Sequence, residues 1–277
     1  MVYKESVLKL QNGLEVFYRS WEPDSPKALV IGIHGFAEHS GRYIKFGEWL
    51  QSNGFSFFIY DLRGHGKTAK DKNEFGDIDR FYQFVDDTQY FVSEIKKGRE
   101  KLKTAMFGHS MGGLITLHYI SRIKKNIDFA ITSGAATITK ADTFSKLFLY
   151  MLYFINKKSR VNLPIKASNL THDTELYKTY LTDNLVFKRP TVRLIYQLSK
   201  GSKEIWRYLN KIDMPILMMH GGSDKVVPVE GTTKAYKIIN SKDKSLEVYP
   251  GFYHEVLNEL NNEKVYEDIM RWLKTHG

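Results

Sequence analysis

Two periodicities alternate along this chain. Short, nearly continuous apolar runs are separated by longer stretches in which apolar residues recur every three to four positions. The runs are Ala28–Ile33, Ser56–Tyr60, Thr104–Phe107, Phe129–Thr132, Pro215–Met219 and Ser245–Tyr249. Each is short, and β-branched or aromatic residues recur among them, the pattern of strands buried on both faces. Leu14–Trp21 predicts an outer strand. Helical spacing covers Arg42–Gln51, Phe81–Ile95, Gly112–Ile123, Lys234–Ile239 and Lys264–His276. In the second of these, Phe81, Phe84, Val85, Tyr90, Phe91 and Ile95 fall on or near one face. Strands alternating with helices imply a parallel α/β sheet covered on both sides.

Residues 136–210 interrupt that alternation. They hold helical stretches and no strand pattern. The expectation is an α/β core formed by 1–135 and 211–277, with 136–210 as a helical cap over the C-terminal edge of the sheet. Open α/β folds place their sites at that edge. A length of 277 residues suits one such domain with an insertion.

Charge adds a second reason to separate the insertion. The formal net charge is +10. Residues 136–210 carry thirteen Lys and Arg against five Asp and Glu, so nearly all the excess lies there. Two readings stand: a solvated lysine-rich face, or a face turned to an anionic partner. Nucleic acid ranks far lower, because no nucleic-acid motif accompanies the charge. The longest apolar run, Leu147–Ile155, is followed by Lys157, Lys158 and Arg160. It falls well short of the ~20 residues that span a bilayer. It would suit an acyl-chain tunnel, packing of the cap on the core, or peripheral contact with an anionic membrane. Lys4 and Glu5 argue against a signal peptide, and the expected location is cytoplasmic with peripheral membrane contact. The chain has no cysteine, which excludes disulfides, thiolate metal sites and a cysteine nucleophile.

The candidate chemistry begins at Met106-Phe-Gly-His-Ser-Met-Gly-Gly-Leu114, which holds Gly108-x-Ser110-x-Gly112 between a strand and a helix. A serine at such a turn takes a strained conformation, and its neighbours must be small. The turn lifts the hydroxyl above the sheet edge, where the N-terminus of the following helix points. The alternative is a turn serine that merely caps a helix. Serine needs a base, and the base needs an orienting group. The expected chain order is Ser, acid, His. Asp224, after the strand Pro215–Met219, and His254, after the strand Ser245–Tyr249, fill the two later places. Among competitors, His109 is expected to point away from the reacting face and His118 to pack in the core, while His276 is terminal. His34, His39, His65 and His220 are loop residues that could line the site. Asp213 precedes a strand, at the wrong edge, and Asp173 and Asp183 lie in the insertion. The oxyanion amides should come from Met111 and from the loop after Ala28–Ile33, where Phe36 is best placed.

The segments His34–Tyr43 (HGFAEHSGRY), Asp61–Gly66 (DLRGHG) and Gly108–Gly113 (GHSMGG), with Asp224 and His254, resemble the monoacylglycerol lipase/lysophospholipase family of α/β-hydrolases. The match runs in order through nearly the whole chain, with specific motifs in the core and faint ones in the cap. The resemblance implies the α/β-hydrolase fold and hydrolysis of a single acyl ester in a small lipid, most simply monoacylglycerol. It implies no metal and no organic cofactor. It places the triad on Ser110, Asp224 and His254, and the oxyanion amides on Phe36 and Met111. Glu38 and Arg42 stand where the family organises the headgroup end of its site. They serve equally as an internal ion pair bracing the loop. Leu147 and Leu152 are candidates to line the acyl path. Two departures are visible. Ala37 replaces the family's usual glycine. The second histidine that some members carry after the first is missing from His254–Glu259, leaving Asn258 as its candidate substitute. Lysophospholipase, broad carboxylesterase and acyltransferase remain rivals, as does a non-catalytic lipid-binding relative. Oligomeric state is not written in the sequence.

Overall fold

The computed structural model describes residues 2–138, 143–162 and 166–277, without the side chains of 143–149. Eight strands form one sheet in the order β1-β2-β4-β3-β5-β6-β7-β8. They are β1 (Val2–Lys9), β2 (Glu15–Glu22), β3 (Leu29–Ile33), β4 (Ser56–Tyr60), β5 (Thr104–His109), β6 (Phe129–Ser133), β7 (Ile216–Gly221) and β8 (Lys244–Tyr249). The strands from β4 and β3 through β8 are parallel, whereas β1 and β2 form an antiparallel hairpin at one edge.

Alternation along each strand divides the core in two. Leu29, Ile31, Met106, Ala130, Ile216 and Met218 face one side. There they meet α2 (Tyr82–Lys96), α3 (Met111–Arg122) and α7 (Val229–Ile238). Val30, Phe57, Phe107, Ile131, Leu217 and Met219 face the other side, packed on α1 (Ile44–Ser52) and α8 (Glu263–His276). Both faces are apolar, which explains why the strands read as continuous runs.

Among the described residues, three α-helices lie between β6 and β7: α4 (Thr143–Asn156), α5 (Thr174–Thr182) and α6 (Val192–Glu204). Arginines tie this inserted segment to the core. Arg160 donates to the carbonyls of Lys72 (2.8 Å), Asn73 (2.9 Å) and Phe75 (2.6 Å) in the loop before α2. Arg193 pairs with Asp77 and Asp79. Part of the segment's positive charge is therefore used internally. Among the described residues, no helix is long and apolar enough to cross a membrane.

Two elements differ from the sequence expectation. Strand β1 was not expected, because an edge strand with most side chains in solvent carries no buried alternation. Helix α7 starts five residues before the predicted Lys234. Its first turns hold Gly231, which signals poorly for a helix. The glycine is needed there, since a Cβ would stand 2.6 Å from Thr137 Oγ1 and 2.8 Å from Ile138 Cγ1.

Gly47 sits inside α1 for the same kind of reason. A Cβ at this position would lie 2.5–2.7 Å from three indole carbons of the buried Trp21. Gly47→Ala is expected to destabilise the protein by about 1–3 kcal/mol through overpacking, despite alanine's better helix propensity. Urea unfolding measures this, and a midpoint at or above that of the native chain contradicts it.

Candidate active site

Strand β5 passes into α3 through Ser110, whose backbone is held at φ 54° and ψ −114°. Such a conformation costs a non-glycine residue about 1–3 kcal/mol. Neighbouring strands hold it in place. The Ser110 amide donates to Ser133 O at 2.8 Å, and its carbonyl accepts from Ala136 N at 3.0 Å. The flanking glycines are required by space. A Cβ on Gly108 would overlap the Gly112 carbonyl and the Thr116 hydroxyl. A Cβ on Gly112 would overlap the Ile33 carbonyl at the end of β3. The helix start is thus pressed against β3 and the loop that follows it. The Ser110 side chain makes no capping bond to α3, so its hydroxyl is not engaged by the helix's first-turn amides.

The loop after β3 is fixed by two side chains. His34 Nε2 accepts from Leu62 N (2.9 Å), so its proton lies on Nδ1, which donates to Gly35 O at 2.8 Å. Burial pushes His34 down to about 3, which keeps that imidazole neutral. Glu38 accepts from Gly35 N and from Tyr43 Oη (2.8 Å). Both polar groups of Gly35 are therefore tied. In a planar trans peptide, the N–H of Phe36 then points opposite to the held Gly35 carbonyl. A Cβ on Gly35 would stand 3.2 Å from Ser110 Cβ, so this loop lies directly against the serine. Ala37, in place of the family's glycine, adopts a left-handed φ of 59°. The Phe36 ring packs edge-on against Phe187 of the inserted segment, with centroids 5.2 Å apart.

Asp224 and His254 meet at the same edge. His254 Nδ1 donates to Asp224 Oδ2 at 2.7 Å. A carboxylate accepts only, so the His254 proton is on Nδ1 and Nε2 of the neutral ring is free to accept one. Asp224 Oδ1 accepts from Val226 N (2.7 Å) and Val227 N (2.8 Å), and Oδ2 also receives His220 Nε2 at 3.0 Å. Burial opposes ionisation of Asp224, but the His254 charge and the bonds from His220 and His254 outweigh it. The carboxyl stays well below the usual carboxylate range. For His254, burial favours the neutral ring and the Asp224 charge opposes it. The balance raises the imidazole above its ordinary 6.5. Glycines let the two loops close. A Cβ on Gly134 would come within 3.2 Å of the His254 ring, and one on Gly221 would overlap the Tyr253 carbonyl.

Behind His254 lies a buried ionic network. Arg42 binds Glu255 with both ends of its guanidinium (2.9 and 2.8 Å) and reaches Glu38 at 3.4 Å. Burial pushes Glu38 up, whereas Arg42 holds Glu255 down against its burial. Asn258 Nδ2 donates to Glu255 Oε2 at 2.8 Å, and Tyr180 of α5 places its ring under Arg42. A cavity of about 310 Å³ opens here, lined in part by Glu38, Arg42, His109, Tyr180, Glu255 and Asn258. Glu38 and Arg42 thus brace the loop and face a cavity at once. Of the two residues expected along the acyl path, Leu152 is half-buried on α4, and the Leu147 side chain lies outside the described residues.

Three placements depart from expectation. His109 does not point away from the site. Its ring lies 4.8 Å from that of His254, and burial and the His254 charge push it down to about 3. Alternation along β5 puts it on the same face as Phe107, toward the His254 loop. His220 does not line the site but lies buried beneath Asp224, and its Nδ1 is 2.7 Å from Thr232 Oγ1. Glu259 was not singled out at all. Buried, it accepts from Tyr253 N (2.6 Å), His172 N (2.9 Å) and His172 Nδ1 (3.0 Å), strapping the inserted segment to the turn that carries His254. Glu255 N donates to Leu170 O at 2.8 Å on the other side of His254. His39 also crosses to the segment, 2.7 Å from Asp183. His118 packs in the core with Nε2 3.0 Å from Gly201 O, and Asp213 pairs with Lys124 at the surface.

Comparison with known proteins adds the context. Over 272 residues the chain is 29% identical to a monoacylglycerol lipase of Mycolicibacterium smegmatis, covering 95% of this chain and 94% of the relative. It is 27% identical to the human monoglyceride lipase over 270 residues, covering 95% and 88%. The structure superposes on a soluble variant of the Saccharomyces cerevisiae monoglyceride lipase, solved with a substrate analog. That match has a TM-score of 0.90 and 24% identity, covering 100% of this chain and 96% of the other. Residues 24–261 match the family model described as serine aminopeptidase, S33. The chain has the α/β-hydrolase fold and belongs to that serine hydrolase family.

Proposed function

We propose that this carboxylic ester hydrolase cleaves the single acyl ester of monoacylglycerols through Ser110, His254 and Asp224. The observation that carries the reading is the 2.7 Å bond from His254 Nδ1 to a fully held Asp224, at the sheet edge that presents Ser110 on a strained turn. In the first step His254 Nε2 takes the Ser110 proton as Oγ bonds to the ester carbonyl carbon. The amides of Met111 and Phe36 receive the oxyanion. His254 then gives the proton to the glycerol oxygen as the ester C–O bond breaks. Water, deprotonated by His254, releases the fatty acid from Ser110. Asp224 stays ionised throughout and stabilises the imidazolium. The Glu38, Arg42 and Asn258 wall of the cavity offers donors and acceptors to a small polyol headgroup, and the lipases among the relatives support that choice.

The test is hydrolysis of 1-monoacylglycerol, lysophosphatidylcholine, p-nitrophenyl esters of increasing length and an aminoacyl p-nitroanilide. The native chain and Ser110→Ala are compared. Monoacylglycerol should be preferred, and Ser110→Ala should lower its turnover by at least about 10³-fold with an unchanged unfolding midpoint. Retained turnover would overturn the mechanism. Preference for the anilide would overturn the substrate class.

We further propose that the inserted segment acts as a cap and meets an anionic lipid surface through α4. At its end, Phe154 and Ile155 are 76% and 78% exposed, beside exposed Lys157 and Lys158. An apolar patch flanked by cations is the pattern of interfacial docking. Phe154→Asp combined with Ile155→Asp should weaken sedimentation with phosphatidylglycerol vesicles by about tenfold. Hydrolysis of a soluble short-chain ester should be unaltered. Unchanged vesicle binding contradicts the proposal.

A further inference from the structure

The catalytic reading does not use the buried imidazole nearest to Asp224 after His254. His220 stands at the end of β7, fully buried, four residues before Asp224. Its Nε2 faces two groups that can only accept, Asp224 Oδ2 at 3.0 Å and Val227 O at 3.1 Å. The proton on Nε2 is therefore assigned by its neighbours. Its Nδ1 is anchored 2.7 Å from Thr232 Oγ1 on α7, itself fully buried. A chain of contacts thus runs from α7 through Thr232, His220 and Asp224 to His254.

We propose that His220 is a positioning residue for the reaction: its Nε2–H shares Asp224 Oδ2 with His254, fixing the carboxylate's orientation and tempering the charge that His254 feels. The proposal rests on the triad reading and adds a fourth side chain to it. The backbone amides of Val226 and Val227 hold only Oδ1. Oδ2, the oxygen that orients His254, has His220 Nε2 3.0 Å away on its other side. Without that donor the carboxylate could swing about its Cβ–Cγ bond. The share of its charge that His220 takes up would also be felt more strongly by His254.

The sign of the effect follows from the groups that face His254. These are Asp224 from the β7–α7 loop, His109 from β5, and Glu255 beside it with Arg42 and Glu38 behind. Removing the His220 donor strengthens the pull of Asp224 on the His254 cation and leaves the others in place. His254 must be neutral to act as the base, and its raised folded-state value puts the acid limb of kcat/KM above pH 6.5 in the native enzyme. Loss of the donor moves that limb further up.

The experiment measures kcat and KM against pH on a p-nitrophenyl ester for the native chain, His220→Leu, His220→Gln and Ser110→Ala. His220→Leu removes the donor. His220→Gln replaces it, because glutamine can donate to Asp224 and accept from Thr232. The leucine variant should lose about tenfold in kcat with KM altered by less than about twofold, and its acid limb should rise by about half a pH unit. The glutamine variant should recover kcat to within about threefold and restore the limb. An unchanged limb and kcat in His220→Leu overturns the proposal, as do equal losses in both variants, which would mark a packing role. Activity retained in Ser110→Ala would instead overturn the triad reading itself. If the leucine variant does not fold, ¹⁵N-histidine NMR of the native chain decides. The resonances lost in His220→Gln should show a proton on Nε2, and a bare Nε2 overturns the proposal.

Discussion

The bond between His254 Nδ1 and Asp224 Oδ2 is the interaction on which the rest of the site depends. A buried carboxylate is costly to ionise unless donors surround it. Here the donors are His254, His220 and the amides of Val226 and Val227. Hydrogen bonds to charged groups are each worth about 1.5–3 kcal/mol, enough together to keep Asp224 charged away from water. That fixed charge selects the His254 tautomer and leaves Nε2 as the proton acceptor. The other features of this sheet edge hold Ser110 on its strained turn and press the loop after β3 against it.

Close backbone packing does this. Gly108, Gly112 and Gly35 admit no side chain, so β3, β5 and the start of α3 converge within contact distance around Ser110. The strain at Ser110 is sustained because its amide and carbonyl are both bonded to the strand-and-loop segment beside it. His34 and Glu38 hold the Gly35 peptide from opposite ends. Arg42 then joins Glu38 to Glu255, the neighbour of His254, so the loop after β3 and the loop that carries His254 share one buried ionic network. The inserted segment reaches the same two loops, through Asp183 on His39 and through His172 and Leu170 around His254. A displacement of that segment would be felt at His254 and at the loop after β3 together.

Much of this was legible in the sequence because of where the signals lie. Parallel strands buried on both faces write continuous apolar runs, so the five strands β3 to β7 were bounded to within a residue or two. Ser110, Asp224 and His254 follow β5, β7 and β8 in the expected order. What escaped has physical reasons. Strand β1 is exposed and leaves no periodicity. Helix α7 begins with β-branched residues and Gly231, chosen for packing against Thr137 and Ile138 rather than for helix propensity. His109 was expected to point away from the reacting face and His220 to be a loop residue, because neither was placed in its strand's register. Alternation along the strands held the answer. His220 falls in register with Ile216 and Met218, which face α7, and His109 falls with Phe107 on the opposite face. Glu259 gave no such signal, since its partners are backbone amides and a histidine 87 positions away.

The central claim is that Asp224, acting through His254, activates Ser110. It is tested most directly by the rate at which a fluorophosphonate ester labels the native chain and Asp224→Asn, with the labelled peptide identified by mass spectrometry. The label should fall on Ser110 alone, and Asp224→Asn should slow it by about three to four orders of magnitude with the fold intact. Equal labelling rates, or a label on any other residue, would contradict the account.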